Sequence, residues 1–462
     1  MGLNQAFQEL INIRGLPLTP GQASIEGADP VFSSRFEIGE TAAAIHAAIG
    51  LAVSDIWRLR TGREQEVSVR VDHAAATLRS YLYMQVDNPQ LNQAWEHQRL
   101  RQAISTPHPA KDGRYFLAHM GLPHLADRAL KILGCEFELE AVKKAIAKWD
   151  ALELENAIAE VNGCGAMVRS DSEWLAHAQG QVLSRQPVIE IEKIGESDPE
   201  PFREGARPLE GTRVLDLTRI LAGPTCGRTL AEHGADVLMV TAEHLPQSDY
   251  FVMDTGHGKR SCFLDLAIPA EAAQLKGLVG EADVFSQGYR PGTLAAKGFS
   301  PEQLAEIRPG IVYVSMNCYG FEGPFSDRAG WEQLAQTVTG IAQEQGAERP
   351  QLLPAAACDY MTGYLAAYGT LLALARRARE GGSWHVKASL CQSGMFLQRQ
   401  GRVDYTGANL DIDPEAVRQI SLTSETEFGR MTHLGPVLNL SETPPKWICP
   451  TVPLGTHQPG WI

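Results

Sequence analysis

The chain has 462 residues, 44% hydrophobic and 21% charged, enough for two or three domains with a sizeable core. Lys and Arg total 41 against 55 Asp and Glu, a formal net charge of −14. That field repels a polyanion and no Lys/Arg-rich run offsets it, so nucleic acid is excluded as an expected partner.

The eight Cys include no C-x-x-C pair, and a chain of this length needs no disulfide staples, so reduced thiols and a cytoplasmic protein are expected. The start, Met1-Gly2-Leu3-Asn4-Gln5-Ala6, lacks a basic segment followed by an apolar one. The longest apolar stretch, Ala42 to Val53, is interrupted by His46 and falls short of the ~20 residues of a membrane span. No membrane partner is expected.

In chain order, Ala42–Arg60 reads as a helix of small residues, and Asp112-Gly113 as a turn entering a strand. Glu138–Ala159, rich in Ala, Leu, Glu and Lys, predicts one long helix. The stretch from Ile194 to Arg207 carries Gly195, Pro199, Pro201, Gly205 and several acids, which suits an exposed connection. Beyond it short apolar runs recur at Val214–Leu217, Asp236–Val240, Cys262–Leu264, Asp283–Phe285 and Ile311–Val314. Each is brief, partly β-branched and bounded by breakers, the pattern of buried strands. Helices are predicted between them, one from Gly223-Pro224 to Gly234 and one opening at Ser300-Pro301-Glu302-Gln303, a capping box. Strands alternating with helices imply an α/β fold around a mostly parallel sheet.

Two stretches match at a shift of 319 residues (359 − 40 = 319). Gly50 meets Gly369, Arg58 and Arg60 meet Arg377 and Arg379, Gly62 meets Gly381, and Val67 meets Val386. In both, a small-residue helix ends in Arg-x-Arg-x-Gly and runs into a strand, which points to an internal repeat.

Several chemistries find no motif. Gly256-His257-Gly258-Lys259-Arg260-Ser261 lacks the leading Gly and the adjacent Lys-Ser of a phosphate loop, and no G-x-S-x-G or H-E-x-x-H occurs. The 13 His show no metal-ligand spacing, so no metal site is expected. What remains is Asp359, within Ala357-Cys358-Asp359-Tyr360-Met361-Thr362-Gly363, ahead of an Ala/Leu-rich helix uncharged until Arg376. A carboxylate there is either an ordinary helix cap or a desolvated nucleophile beside the positive helix end.

The chain resembles the class III CoA-transferases of the formyl-CoA and carnitine-CoA transferase type, related to the α-methylacyl-CoA racemases. Leu209–Leu217, Ala222-Gly223-Pro224, His233–Leu238, Gly258–Ser261, Tyr289–Gly292, Gly320–Pro324 and Pro453–His457 carry the resemblance. It implies a Rossmann-like parallel-sheet large domain plus a smaller α+β domain, joined by long connections. Residues 1–206 resemble the family's second half and 207–462 its Rossmann-like CoA-binding and catalytic first half with the terminal tail, as in a trimmed tandem. It further implies Asp359 as the catalytic nucleophile, and Lys259, Arg260 and Arg290 as the groups that meet the phosphates of CoA. Those three are otherwise read as solvated surface charges.

The implied reaction moves CoA from an acyl-CoA to a free carboxylic acid through aspartyl anhydride and aspartyl-CoA intermediates, with CoA as substrate, no permanently bound cofactor and a homodimer. Two alternatives stand beside it, a racemase-like isomerase and a non-catalytic CoA-binding relative. Trp331 stands where the racemases carry their His base, and Met239, Thr241 and Cys358 depart from the transferase pattern. Glu40 occupies the position of Asp359 in the first copy, where one active site per chain is expected rather than two.

Overall fold

The computed structural model describes residues 4–346, 348–404 and 409–462, and only the backbone of 96–101; Met1–Leu3 of the N-terminal reading lie outside. The five apolar runs supply β2 to β6 of one sheet of seven strands: β1 (Ile189–Gly195), β2 (Arg213–Asp216), β3 (Asp236–Thr241), β4 (Lys259–Phe263), β5 (Val284–Gln287), β6 (Val312–Asn317) and β7 (Ser383–Ser389). Their order is β4-β3-β2-β5-β6-β7-β1. Strands β2 to β7 pair in parallel throughout, and β1 lies antiparallel against β7 at the edge. With β2 as the first strand, this is the 3-2-1-4-5-6 order of a doubly wound sheet.

Three helices carry the centre: α1 (Ile38–Thr61), α2 (Ala222–Glu232) and α3 (Ala357–Glu380). α3 packs along both α1 and α2, and small residues allow the close approach. A Cβ on Gly363 would stand 2.3 Å from the Ala222 carbonyl oxygen of α2. Although α1 is long and apolar enough to cross a membrane, it is enclosed in this core. α1 and α3 each have 24 residues, and their boundaries stand 319 residues apart. Each is followed by a strand and then a helix, starting at Val71 and at Leu390, again 319 apart. The strand after α1, Val67–Arg70, joins a separate small sheet with Ala23–Glu26 and Asn439–Leu440.

A smaller α+β lobe has its own core of Phe116, Leu133, Val142, Leu154 and Ile158. Here the single helix expected over Glu138–Ala159 is two, Leu139–Ile146 and Ala151–Glu160. The break has a long-range cause: Asp112 Oδ2 accepts the Ala151 N–H, and the Trp149 carbonyl accepts from Lys111 N–H. The turn residues thus take backbone groups that a continuous helix needs.

The junction at 206/207 is also not a spatial divide. β1 precedes it yet forms the edge of the large sheet, so the stretch expected as a loop begins as strand. Gln85–Val86 pairs with Gly429–Leu434, and Val67–Arg70 with Asn439–Leu440. Both segments interleave.

Candidate active site

In an open α/β sheet the crevice lies beyond the carboxyl ends of the strands, where the order reverses. Here that point is between β2 and β5. A cavity of about 280 Å³ opens there, lined by Thr218, Arg219 and Ile220 after β2, Tyr289 and Arg290 after β5, and Cys318 after β6. Arg328, Trp331 and Asp359 complete it, and His124 and Leu125 of the smaller lobe close one wall. Arg290 ties the lobe to the sheet by donating to Asn162 Oδ1 at 2.6 Å.

The loop after β2 is strained. Ile220 sits at φ +72°, a left-handed conformation that a β-branched side chain rarely adopts and that costs about 1–3 kcal/mol. Held so, it presents Arg219, Ile220 and Leu221 to the space beside Asp359.

Asp359 lies in the first turn of α3, 8% exposed. Its partner is a residue that sequence reading gave no role. Glu332, also buried, accepts the backbone N–H of Cys358 at 3.1 Å and of Asp359 at 2.5 Å, and the Gln336 amide at 2.5 Å. Glu332 therefore caps α3 from outside, and the Asp359 side chain is spared that task. Burial pushes the Glu332 carboxyl up to about 7, against the lowering pull of those donors. Asp359 is pushed well above the usual carboxylate range, first by burial and then by repulsion from Glu332. The two titrate as a pair.

The first turn of α3 is also fixed from below. Tyr360 Oη donates to Asp254 Oδ2 at 2.8 Å, and Asp254 pairs with buried Arg228 at 3.2 Å. Arg228 in turn donates to Tyr364 Oη at 3.1 Å. A network satisfied on every side locks the rotation of α3, and with it the direction of Asp359.

Of the three cations expected at the phosphates, the structure brings only Arg290 to this cavity. Lys259 is 2% exposed, its ammonium 2.8 Å from Asp216 Oδ2 and 2.7 Å from the Pro224 carbonyl. It fastens the end of β2 beneath α2. A Cβ on Gly227 would come within 3.0 Å of that ammonium, so α2 is close-packed over it. Arg260 follows Lys259 on β4 and therefore faces the opposite side of the sheet. There it pairs with Asp236 at 2.8 Å and donates to the Gly460 carbonyl at 2.7 Å. Neither lines the cavity.

The cations that do converge with Arg290 are Arg219 and Arg328. Arg219 is partly buried and its Nε has no hydrogen-bond partner. Arg328 leans on the Phe325 ring and on Glu155 at 3.2 Å. Among the described residues no cluster suited to a metal ion occurs.

An open sheet in this strand order with its crevice at the switch point defines a doubly wound α/β protein. Comparison with known proteins makes the class specific: the model of CoA-transferase family III matches residues 15–203 and 209–426. An acyl-CoA transferase of Gibberella moniliformis is 28% identical over 98% of this chain and 91% of its own length. The acetyl-coenzyme A transferase nodX of Hypoxylon pulicicidum is 29% identical over 81% of this chain and 71% of its own. The beta subunit of a succinyl-CoA–L-malate CoA-transferase of Chloroflexus aurantiacus is 36% identical over 40% of this chain and half of its own. The chain belongs to CoA-transferase family III. It is a CoA-transferase, and neither the racemase alternative nor the non-catalytic one is favoured.

Proposed function

We propose that the protein transfers CoA between an acyl-CoA and a free carboxylic acid with Asp359 as the nucleophile. The observation that carries this is the placement of a desolvated carboxyl, relieved of capping by Glu332, on the wall of an arginine-lined switch-point cavity. Deprotonated Asp359 attacks the thioester carbon; the C–S bond breaks, leaving an acyl–aspartyl anhydride and CoA thiolate. The thiolate attacks the aspartyl carbonyl, giving an aspartyl-CoA thioester and releasing the donor acid. The acceptor carboxylate then attacks that thioester, forming a second anhydride and freeing the thiolate again. Attack of the thiolate on the acceptor's carbonyl yields the new acyl-CoA and restores Asp359.

Burial supports this route, because a carboxylate stripped of water is a stronger nucleophile and its anhydrides are shielded from hydrolysis. Arg219, Arg290 and Arg328 supply the charge for the phosphates of CoA, in place of Lys259 and Arg260. The paired helix–strand–helix units support an origin by tandem fusion with partial loss.

The test is mass spectrometry after mixing with an acyl-CoA and quenching with hydroxylamine. A hydroxamate on Asp359 is expected. Turnover without modification there would overturn the mechanism.

A further inference from the structure

Asp359 borders two cavities. The second, here the inner one, is the more enclosed and measures about 60 Å³. Leu122, Ile220, Leu221 and Trp331 line both, so these side chains form a waist with Asp359 at its edge. Given the proposed mechanism, on which this inference rests, a thioester carbon at Asp359 has its CoA arm in the outer cavity. Its acyl group then points inward through the waist.

Beyond the aliphatic side chains of the waist and Ala356, the inner walls are polar or aromatic, without a positive charge among the described residues. Gln102, Ser105 and Gln333 offer neutral hydrogen-bonding groups, with Phe251 and Trp331 as aromatic surface. The Gln333 amide oxygen is buried without a partner. His119 stacks on Trp331 with ring centroids 4.3 Å apart, and burial holds it down to about 3, so it stays neutral. Among the described residues no Lys or Arg lines this space, while Glu332 and Asp359 both border it. A second carboxylate carried inward would shed water, find no cation among the described residues and meet two acids. Each water needs at least 10–15 Å³, so about 60 Å³ holds on the order of four water-sized groups.

We propose that the inner cavity is the acyl subsite and that it selects short monocarboxylic acyl groups bearing no second charge.

The test uses the full-length protein with butyryl-CoA and succinyl-CoA, which differ by a terminal methyl against a carboxylate, and acetate as acceptor. A kcat/KM at least 100-fold higher for butyryl-CoA is expected. Gln102→Arg, on the exposed rim of the cavity, should raise succinyl-CoA use at least tenfold relative to butyryl-CoA; Gln333→Lys serves if that variant does not fold. Equal or better use of succinyl-CoA by the wild type would overturn the subsite assignment while leaving CoA transfer through Asp359 intact. Absence of any hydroxamate on Asp359 with either donor would instead remove the mechanism, and this inference with it.

Discussion

The start of α3 and the start of α1 are built alike and equipped differently. At α3, Glu332 accepts the N–H groups of residues 358 and 359. At α1, Asp29 accepts those of Gly39 and Glu40, at 3.1 and 2.8 Å. In each, an outside carboxylate caps the helix at corresponding residues and a second carboxyl follows on the first turn. The surroundings then diverge. Asp359 borders two cavities, whereas Glu40 lines neither and folds back to accept the Asp29 N–H at 3.3 Å. A helix start with a capped carboxyl pair is thus reusable scaffolding. Only the copy set against the large sheet's switch point acquires space and cations beside its acid.

The comparison breaks most visibly at the acid itself. Asp359→Asn keeps the shape and removes the proposed nucleophile, so turnover should fall at least about a thousandfold, roughly 4 kcal/mol of barrier, with CoA still bound. Steady-state transfer and isothermal titration with CoA would measure the two separately. The same variant tests what burial costs. Between about pH 4.5 and 7 folded Glu332 holds a proton that the unfolded chain has lost, and the raised Asp359 carboxyl acts in the same direction, so the pair's contribution to stability falls as pH rises. Asp359→Asn should therefore melt a few degrees above wild type at pH 8, with the gap closing towards pH 5. A variant equally destabilised at both values would contradict that sign.

Next in size is the capping acid. Glu332→Gln keeps one acceptor and removes the neighbouring charge, so kcat should drop about 10- to 100-fold through loosened placement of Asp359. Since repulsion from Glu332 holds the Asp359 carboxyl up, the acid limb of the kcat/KM profile should also shift to lower pH. Asp29→Asn, its counterpart at α1, should leave that limb in place. A purely structural role for Glu332 would lower activity without moving the profile.

Glu332 also marks where reading the sequence stops. Strands β2 to β6 are legible because each is a short apolar run between breakers, and the Ser300 capping box forms as read, with Gln303 and Ser300 exchanging bonds at 3.2 and 2.9 Å. Asp359 is legible as an acid at a helix start. Nothing in Gly330-Trp331-Glu332 distinguishes a glutamate on the surface of a short helix from one that caps another helix 27 residues on. The placement of Lys259 and Arg260 away from the cavity is hidden for a related reason: adjacent strand residues face opposite layers, and sequence does not say that one layer offers Asp216 and the other Asp236. Arg219 and Arg328 meet only through the sheet order.

That placement is testable at a smaller scale. Arg290→Ala should weaken CoA about tenfold, near 1.4 kcal/mol for a lost charge-assisted contact, with a shallower salt dependence. Arg260→Ala, away from the cavity, should change the dissociation constant less than twofold. Equal losses for both would return Arg260 to the phosphates.

The smallest expected effect is at Glu40. Symmetry alone would give each chain two nucleophiles, and restoring the shorter acid with Glu40→Asp would then strengthen the second. The structure argues otherwise. The outer cavity that borders Asp359 does not extend to Glu40, and the strand after α1 pairs in a small sheet rather than in the one whose switch point holds the arginines. An acyl-CoA seated in the cavities at Asp359 does not come within the ~3–3.5 Å of residue 40 that attack requires, whichever acid stands there. What Glu40 contributes is a carboxylate near a helix start, about 0.3–1 kcal/mol through the dipole. Glu40→Asp and Glu40→Gln should both turn over within about twofold of wild type, and the hydroxylamine quench should modify one carboxylate per chain in all three proteins. A second modified residue at position 40 in the Glu40→Asp protein would mean that the α1 copy retains an acyl-CoA site after all.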